Sequence, residues 1–227
     1  MKTDFEKFVT EEMIKEVLEG NIEDLGNGIL YEMCEKNFEH KNKGAVYAKT
    51  WIIGRTYSVA LERDNSRKSR DKTINDDFYS NTIVPEFLDE NSKIDEKIGS
   101  LKCKKLNNEV LPEIFGTYLH LIKITDKLER GTKRSFCSKY LHFHLPELFF
   151  IYDSRAAGAI SKCKINISES LTYDKKKFSE ISEYTKFFCK CLELRDFICN
   201  KWGEKFSPRQ IDRLLLMVAN HDLRRIV

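Results

Sequence analysis

One lysine stands inside an aromatic stretch of this chain. In "RSFCSKYLHFHLPELFFIYDSRAAGAISK", residues 134–162, a helix read over 132–144 carries Phe136, Tyr140, Leu141 and Phe143, and Lys139 shares it with them. Lysine is seldom buried without a partner. An ammonium held in an apolar pocket loses hydration, and a lysine that is partly neutral near pH 7 is a nucleophile. The competing reading is that Lys139 lays its aliphatic stem on apolar surface and delivers its charge to water. Pro146 ends this helix, "ELFFIY" follows as extended or turn chain, and Asp153 then opens the small-residue helix "SRAAGAIS". Aspartate is a natural N-cap there. Capping also fixes the carboxylate near the positive end of a helix, so the cap and a chemical role are compatible. Lys139 and Asp153 are therefore the candidate reaction centre: an amine nucleophile and an oriented carboxylate.

The elements that must position them read as helices. "TEEMIKEVLEG" opens on Thr10 as N-cap and closes at Gly20, and "NGILYEMCEKNFEH" continues the helical pattern. Residues 44–63, "GAVYAKTWIIGRTYSVALER", form the strongest helix. Gly54 in its middle costs about 1 kcal/mol relative to alanine, which implies that something approaches the backbone there. The charged run "DNSRKSRDKTINDD" at 64–77 reads as a solvated connection. Further helices are expected at about 78–90, 92–106 and 109–130. A polar break follows at 166–180, and a long helix at about 180–200. In "SPRQIDRLLLMVAN", Ser207 caps and Pro208 takes the first helical position. No clean alternating strand and no internal repeat is present, so the expected fold class is mainly α, with an N-terminal helical part (about 1–108) and a part carrying the motifs (about 109–227).

Composition bounds the rest. The 227 residues are 41% hydrophobic and 33% charged, a balance of globular and not disordered chains. The net charge of +3 permits a nucleic-acid partner without requiring one. Seven cysteines, an odd number without a CxxC, read as reduced thiols in core positions of a cytoplasmic protein. No apolar run reaches the roughly 20 residues of a membrane helix, and the charged N-terminus has no targeting character. His142 and His144 face apart on a helix and have no third ligand near in sequence, so no metal site is expected there.

The segment from Lys139 through "YLHFHLPELFFIYDSRAAGAI" resembles the catalytic segment of the helix–hairpin–helix DNA glycosylases, closest to the bacterial and archaeal 8-oxoguanine glycosylase branch. There a serine- or threonine-lysine helix leads through a proline turn to an aspartate that opens a helix, with an arginine just behind it. Ser138, Lys139, Pro146, Asp153 and Arg155 fill those places. "SPRQIDRLLLM" resembles the family's closing helix, in which an aspartate is followed four residues later by a base-binding tryptophan. Asp212 matches the aspartate, and Leu216 stands in the tryptophan's place. The resemblance covers roughly residues 110–220.

The resemblance implies two helical subdomains around a central cleft, and a monomer acting on double-stranded DNA with a modified base. It implies a base flipped into a pocket, Lys139 attacking the sugar to give a Schiff base, Asp153 steadying the cationic centre, a lyase step open to the imine, and no need of a metal or organic cofactor. Arg130, Lys133 and Arg134 flank the lysine helix and, with Arg155, sit where phosphate contacts would be needed. The helix around Gly54, with Arg55, Tyr57 and Ser58, is the candidate far wall of the pocket. Leucine at 216 removes a stacking face and leaves room, which points away from 8-oxoguanine and toward a bulkier base such as a hypermodified pyrimidine of phage DNA. Two rivals stand beside this reading. One is a helical ribonuclease toxin of the HEPN type, for which the Arg134 to His142 spacing is a poor match. The other is a non-enzymatic helical DNA-binding or interaction module.

Overall fold

The computed structural model describes residues 7–20, 22, 24–57, 78–128 and 133–224. The last six residues of the helix expected at 44–63, Ser58 among them, lie outside the described residues, as do the charged run at 64–77, Arg130 and Gly131. Ten α-helices occur among the described residues, and no strand. In chain order they are α1 (Glu11–Leu18), α2 (Asp24–Lys36), α3 (Lys43–Thr56), α4 (Val84–Leu88), α5 (Ile94–Gly99), α6 (Leu111–Asp126), α7 (Arg134–His144), α8 (Ser154–Lys162), α9 (Ser182–Trp202) and α10 (Pro208–Arg224).

The helix starts are set by side chains that satisfy orphan backbone donors. Thr10 accepts from Met13 N, Asn42 from Ala45 N at 3.0 Å, and Asp153 from Ala156 N at 2.9 Å. Ser207 and Gln210 form a reciprocal capping box: Gln210 N donates to Ser207 Oγ at 3.3 Å and Ser207 N to Gln210 Oε1 at 2.8 Å. Gly203, at φ +76°, ends α9 in the left-handed conformation that glycine adopts without penalty. The continuous helix expected at 92–106 is broken. Lys93 takes φ 54°, α5 stops at Gly99, and i→i+3 turn bonds replace the helix through Lys104.

α7 is the axle of the fold. Every residue from Phe136 to His144 is buried, with α2, α3 and α6 packed around it. α8 lies along α10, and α10 in turn along α1. Arg213 of α10 binds the carbonyls that end α1, Val17 O at 3.3 Å and Gly20 O at 2.5 Å. A single hydrophobic cluster runs from Val9 to Val218, so the N-terminal helices and the motif-bearing helices share one core. Gly54 has the close neighbour its position implied: the buried Tyr79 lays its hydroxyl against it, where a Cβ would collide.

Between α7 and α8 the chain runs through a non-helical segment, 145–153, whose Phe149, Phe150 and Ile151 are buried. Its backbone groups must find partners away from water, and side chains supply them. His142 Nδ1 donates to Phe149 O at 2.8 Å, and Tyr184 Oη donates to Phe150 O at 3.3 Å. Ser138 Oγ accepts from Tyr152 N at 2.9 Å and faces Tyr152 O at 3.2 Å. Ser138 thus ties the residue before Asp153 to the residue before Lys139.

Candidate active site

That tie brings the two helices' functional ends together. Lys139 is 5% exposed, and its Nζ lies 3.4 Å from Asp153 Oδ2 and 3.2 Å from Ser135 Oγ. The Tyr57 ring centroid lies 5.7 Å from the same ammonium, within cation–π range. Lys139 is therefore turned inward onto a carboxylate, and the solvent-seeking alternative does not hold. Asp153 uses its two oxygens differently: Oδ1 caps α8, while Oδ2 faces Lys139.

The pair opens on a cavity of about 1060 Å³ walled by α2, α3, α7, α8 and α10. Ile52, Thr56 and Tyr57 form the far wall, Asp212 and Leu216 come from α10, and Arg155 from α8. Four of the residues singled out for the base pocket or for phosphate therefore converge with Lys139 and Asp153: Asp212, Leu216, Tyr57 and Arg155. Arg55 does not. It is exposed and absent from the cavity wall, because helical spacing turns positions 52 and 56 inward and 55 away. Nor do Lys133 and Arg134 reach it. Lys133 precedes α7, and Arg134 pairs with Glu183. Of the basic residues expected on phosphate that are among the described residues, Arg155 alone lies at the cavity, with Nη2 2.5 Å from Asn220 Oδ1. Trp51 and Trp202 do not line the cavity. Trp51 is exposed, and Trp202 packs on Phe197 and Lys201. Tyr57 is the aromatic ring on the wall.

Asp212 is 4% exposed. Arg209 Nη1 donates to its Oδ2 at 2.8 Å, while Oδ1 has no hydrogen-bond partner among the described residues. Burial raises its pKa to about 6, against the opposing pull of Arg209 and with a smaller push from Asp153. A carboxyl whose folded pKa exceeds its unfolded one favours the folded state only at low pH. That contribution is lost as pH rises from about 4 through about 6. Asp212→Asn should therefore raise the melting temperature at pH 8 by several degrees, since a shift of this size is worth on the order of 3 kcal/mol. The gain should vanish at pH 4. Equal melting curves for both chains across that range would show that the buried charge carries no cost.

Several residues of the site gave no motif. Asn27 and Arg209 line the cavity, Ser135 contacts the lysine, and Ile22, 96% exposed, stands at its mouth. A second buried lysine belongs to no motif. Lys49, fully buried on α3, donates to Asn37 O at 2.7 Å and His144 Nε2 at 3.0 Å, and burial lowers its pKa to about 8. Beside it Tyr140 Oη donates to His40 Nε2, and His40 Nδ1 donates to Asp95, each at 2.5 Å. This network lies away from the Lys139 cavity and reaches the surface at Asp95, whose side chain is 37% exposed. His142 is likewise held by Phe149 O and by Tyr31 Oη at 2.6 Å, and burial lowers its pKa to about 4. Arg134 and His142, eight residues apart on α7, are separated by about 12 Å along the axis and share no site. Among the described residues no group of three or more His, Cys, Asp or Glu is placed to hold a metal ion, and no helix is long and apolar enough to cross a membrane.

Comparison with models of known protein families, with curated proteins and with solved structures finds no match to this chain. What stands is a mainly helical protein whose cavity holds a buried lysine–aspartate pair.

Proposed function

We propose that this protein is a DNA glycosylase of the helix–hairpin–helix type, which everts a modified base from double-stranded DNA into the cavity and releases it through a Lys139 Schiff base. The observation that carries the reading is the 3.4 Å contact between Lys139 and Asp153 at the wall of a cavity large enough for a nucleoside. Lys139 Nζ, its proton passed to Asp153, attacks C1′ as the C1′–N bond breaks, and the departing base takes the electron pair and that proton from Asp153. Asp153, a carboxylate again, faces the cationic, oxocarbenium-like centre and accepts the proton the substituted amine sheds. Opening of the sugar ring leaves a C1′ imine on Lys139. Loss of the 2′ proton then permits β-elimination of the 3′ phosphate, and water hydrolyses the imine to free the enzyme.

Arg155 at the cavity supplies a phosphate contact, and the exposed apolar Ile22 and Leu25 offer a surface for a duplex whose base has left the stack. With Leu216 and Tyr57 where a tryptophan-walled pocket would be narrower, the base is a bulky one, such as a hydroxymethylated or glycosylated pyrimidine, in preference to 8-oxoguanine. The test is a side-by-side excision assay on an 8-oxoguanine duplex and on hypermodified phage DNA. Base release from the phage DNA is the expected result. Efficient release of 8-oxoguanine with the phage DNA intact would contradict the substrate, and release from neither would contradict the activity.

A further inference from the structure

Asn27 of α2 is 6% exposed and lines the same cavity. Tyr57 Oη donates to its Oδ1, which fixes which way the amide points. Its Nδ2 is then a buried donor with no hydrogen-bond partner among the described residues. The opposite case stands on α10, where Asp212 Oδ1 is a buried acceptor without a partner on the same cavity. Buried polar atoms are nearly always satisfied. Two orphans of opposite sense on one cavity imply a ligand that satisfies both.

Resting on the glycosylase reading, we infer that Asn27 is a specificity-determining residue of the pocket. Its amide NH₂ donates to a ring nitrogen or carbonyl of the everted base, while Asp212 Oδ1 accepts from an N–H of that base. The ligand class is a flat heterocycle carrying both an acceptor and an N–H donor. A phosphate or carboxylate group, like any ligand carrying acceptors alone, would leave Asp212 Oδ1 unpaired. Tyr57 is the positioning residue, since its hydroxyl holds the amide so that the donor and not the acceptor faces the ligand.

Binding is read on the Lys139→Gln chain, so that no base is lost, using duplexes that differ at one nucleotide. That nucleotide is 5-hydroxymethylcytosine, 8-oxoguanine, difluorotoluene (a base shape without hydrogen-bonding edges), a tetrahydrofuran abasic site, or an unmodified base. Whichever hydrogen-bonding base is preferred, Asn27→Leu should weaken its binding about 10- to 100-fold, to the level of difluorotoluene, and leave tetrahydrofuran binding unchanged. Leucine fills a similar volume without an orphan donor, so the variant should fold. Tyr57→Phe keeps the ring, frees the amide to turn, and should give a smaller loss of the same kind. Unchanged base affinity in Asn27→Leu would overturn the inference and assign the donor to a buried water. If the parent chain prefers none of these duplexes to the unmodified one, the glycosylase reading fails first, before any change at Asn27 is made.

Discussion

Lys139→Gln should abolish base release, with a fall of about 10⁴-fold or more, as expected when a covalent nucleophile is removed. Glutamine keeps most of the side chain's length and can still reach Ser135 Oγ, so the packing of α7 is preserved. Asp153 loses its ionic partner but keeps the cap bond to Ala156 N and some contact with solvent, its side chain being 22% exposed. The stability loss should therefore stay near 1–2 kcal/mol. Circular dichroism and a melting curve separate the two effects. A variant that folds and still releases base at the parent rate would remove Lys139 from the mechanism.

Asp153→Asn isolates the carboxylate's charge from its role as a cap. Asparagine is as good an N-cap as aspartate, so α8 should lose at most about 1 kcal/mol. The group facing Lys139 can then no longer accept a proton or balance a cation, and the rate of base release should fall about 10²- to 10⁴-fold. Single-turnover kinetics beside a melting curve make the distinction. A lower melting temperature with an unchanged rate would mean that Asp153 caps the helix and does nothing more.

The site was legible where chemistry and local structure coincide. Asp153 was visible because a helix start demands a cap, and Ser207 and Pro208 were visible for the same reason. Lys139 was visible as a charge among aromatic residues, yet that signal alone does not discriminate. Lys49 lies on the buried face of α3, satisfied by a carbonyl and an imidazole, and does not line the cavity that Lys139 opens on. What separates the two lysines is Asp153, fourteen residues on from Lys139 and brought to it by a buried non-helical segment. Asn27, Arg209 and the tie from Ser138 to Tyr152 depend on tertiary placement, and no spacing announces them. Arg55 faces away from the cavity, since helical phase at the end of α3 turns Ile52 and Thr56 toward it. Lys133 and Arg134 are basic, but neither lines the cavity, and Arg134 pairs with Glu183 of α9.

The central claim is a covalent bond between Lys139 and the sugar. It is tested most directly by incubating the protein with hypermodified phage DNA in the presence of borohydride, then mapping the modified peptide by mass spectrometry. Reduction of the imine should leave a stable protein–DNA adduct carried on Lys139 and absent from Lys139→Gln. Base release without any trapped adduct, or an adduct carried on another lysine, would contradict it.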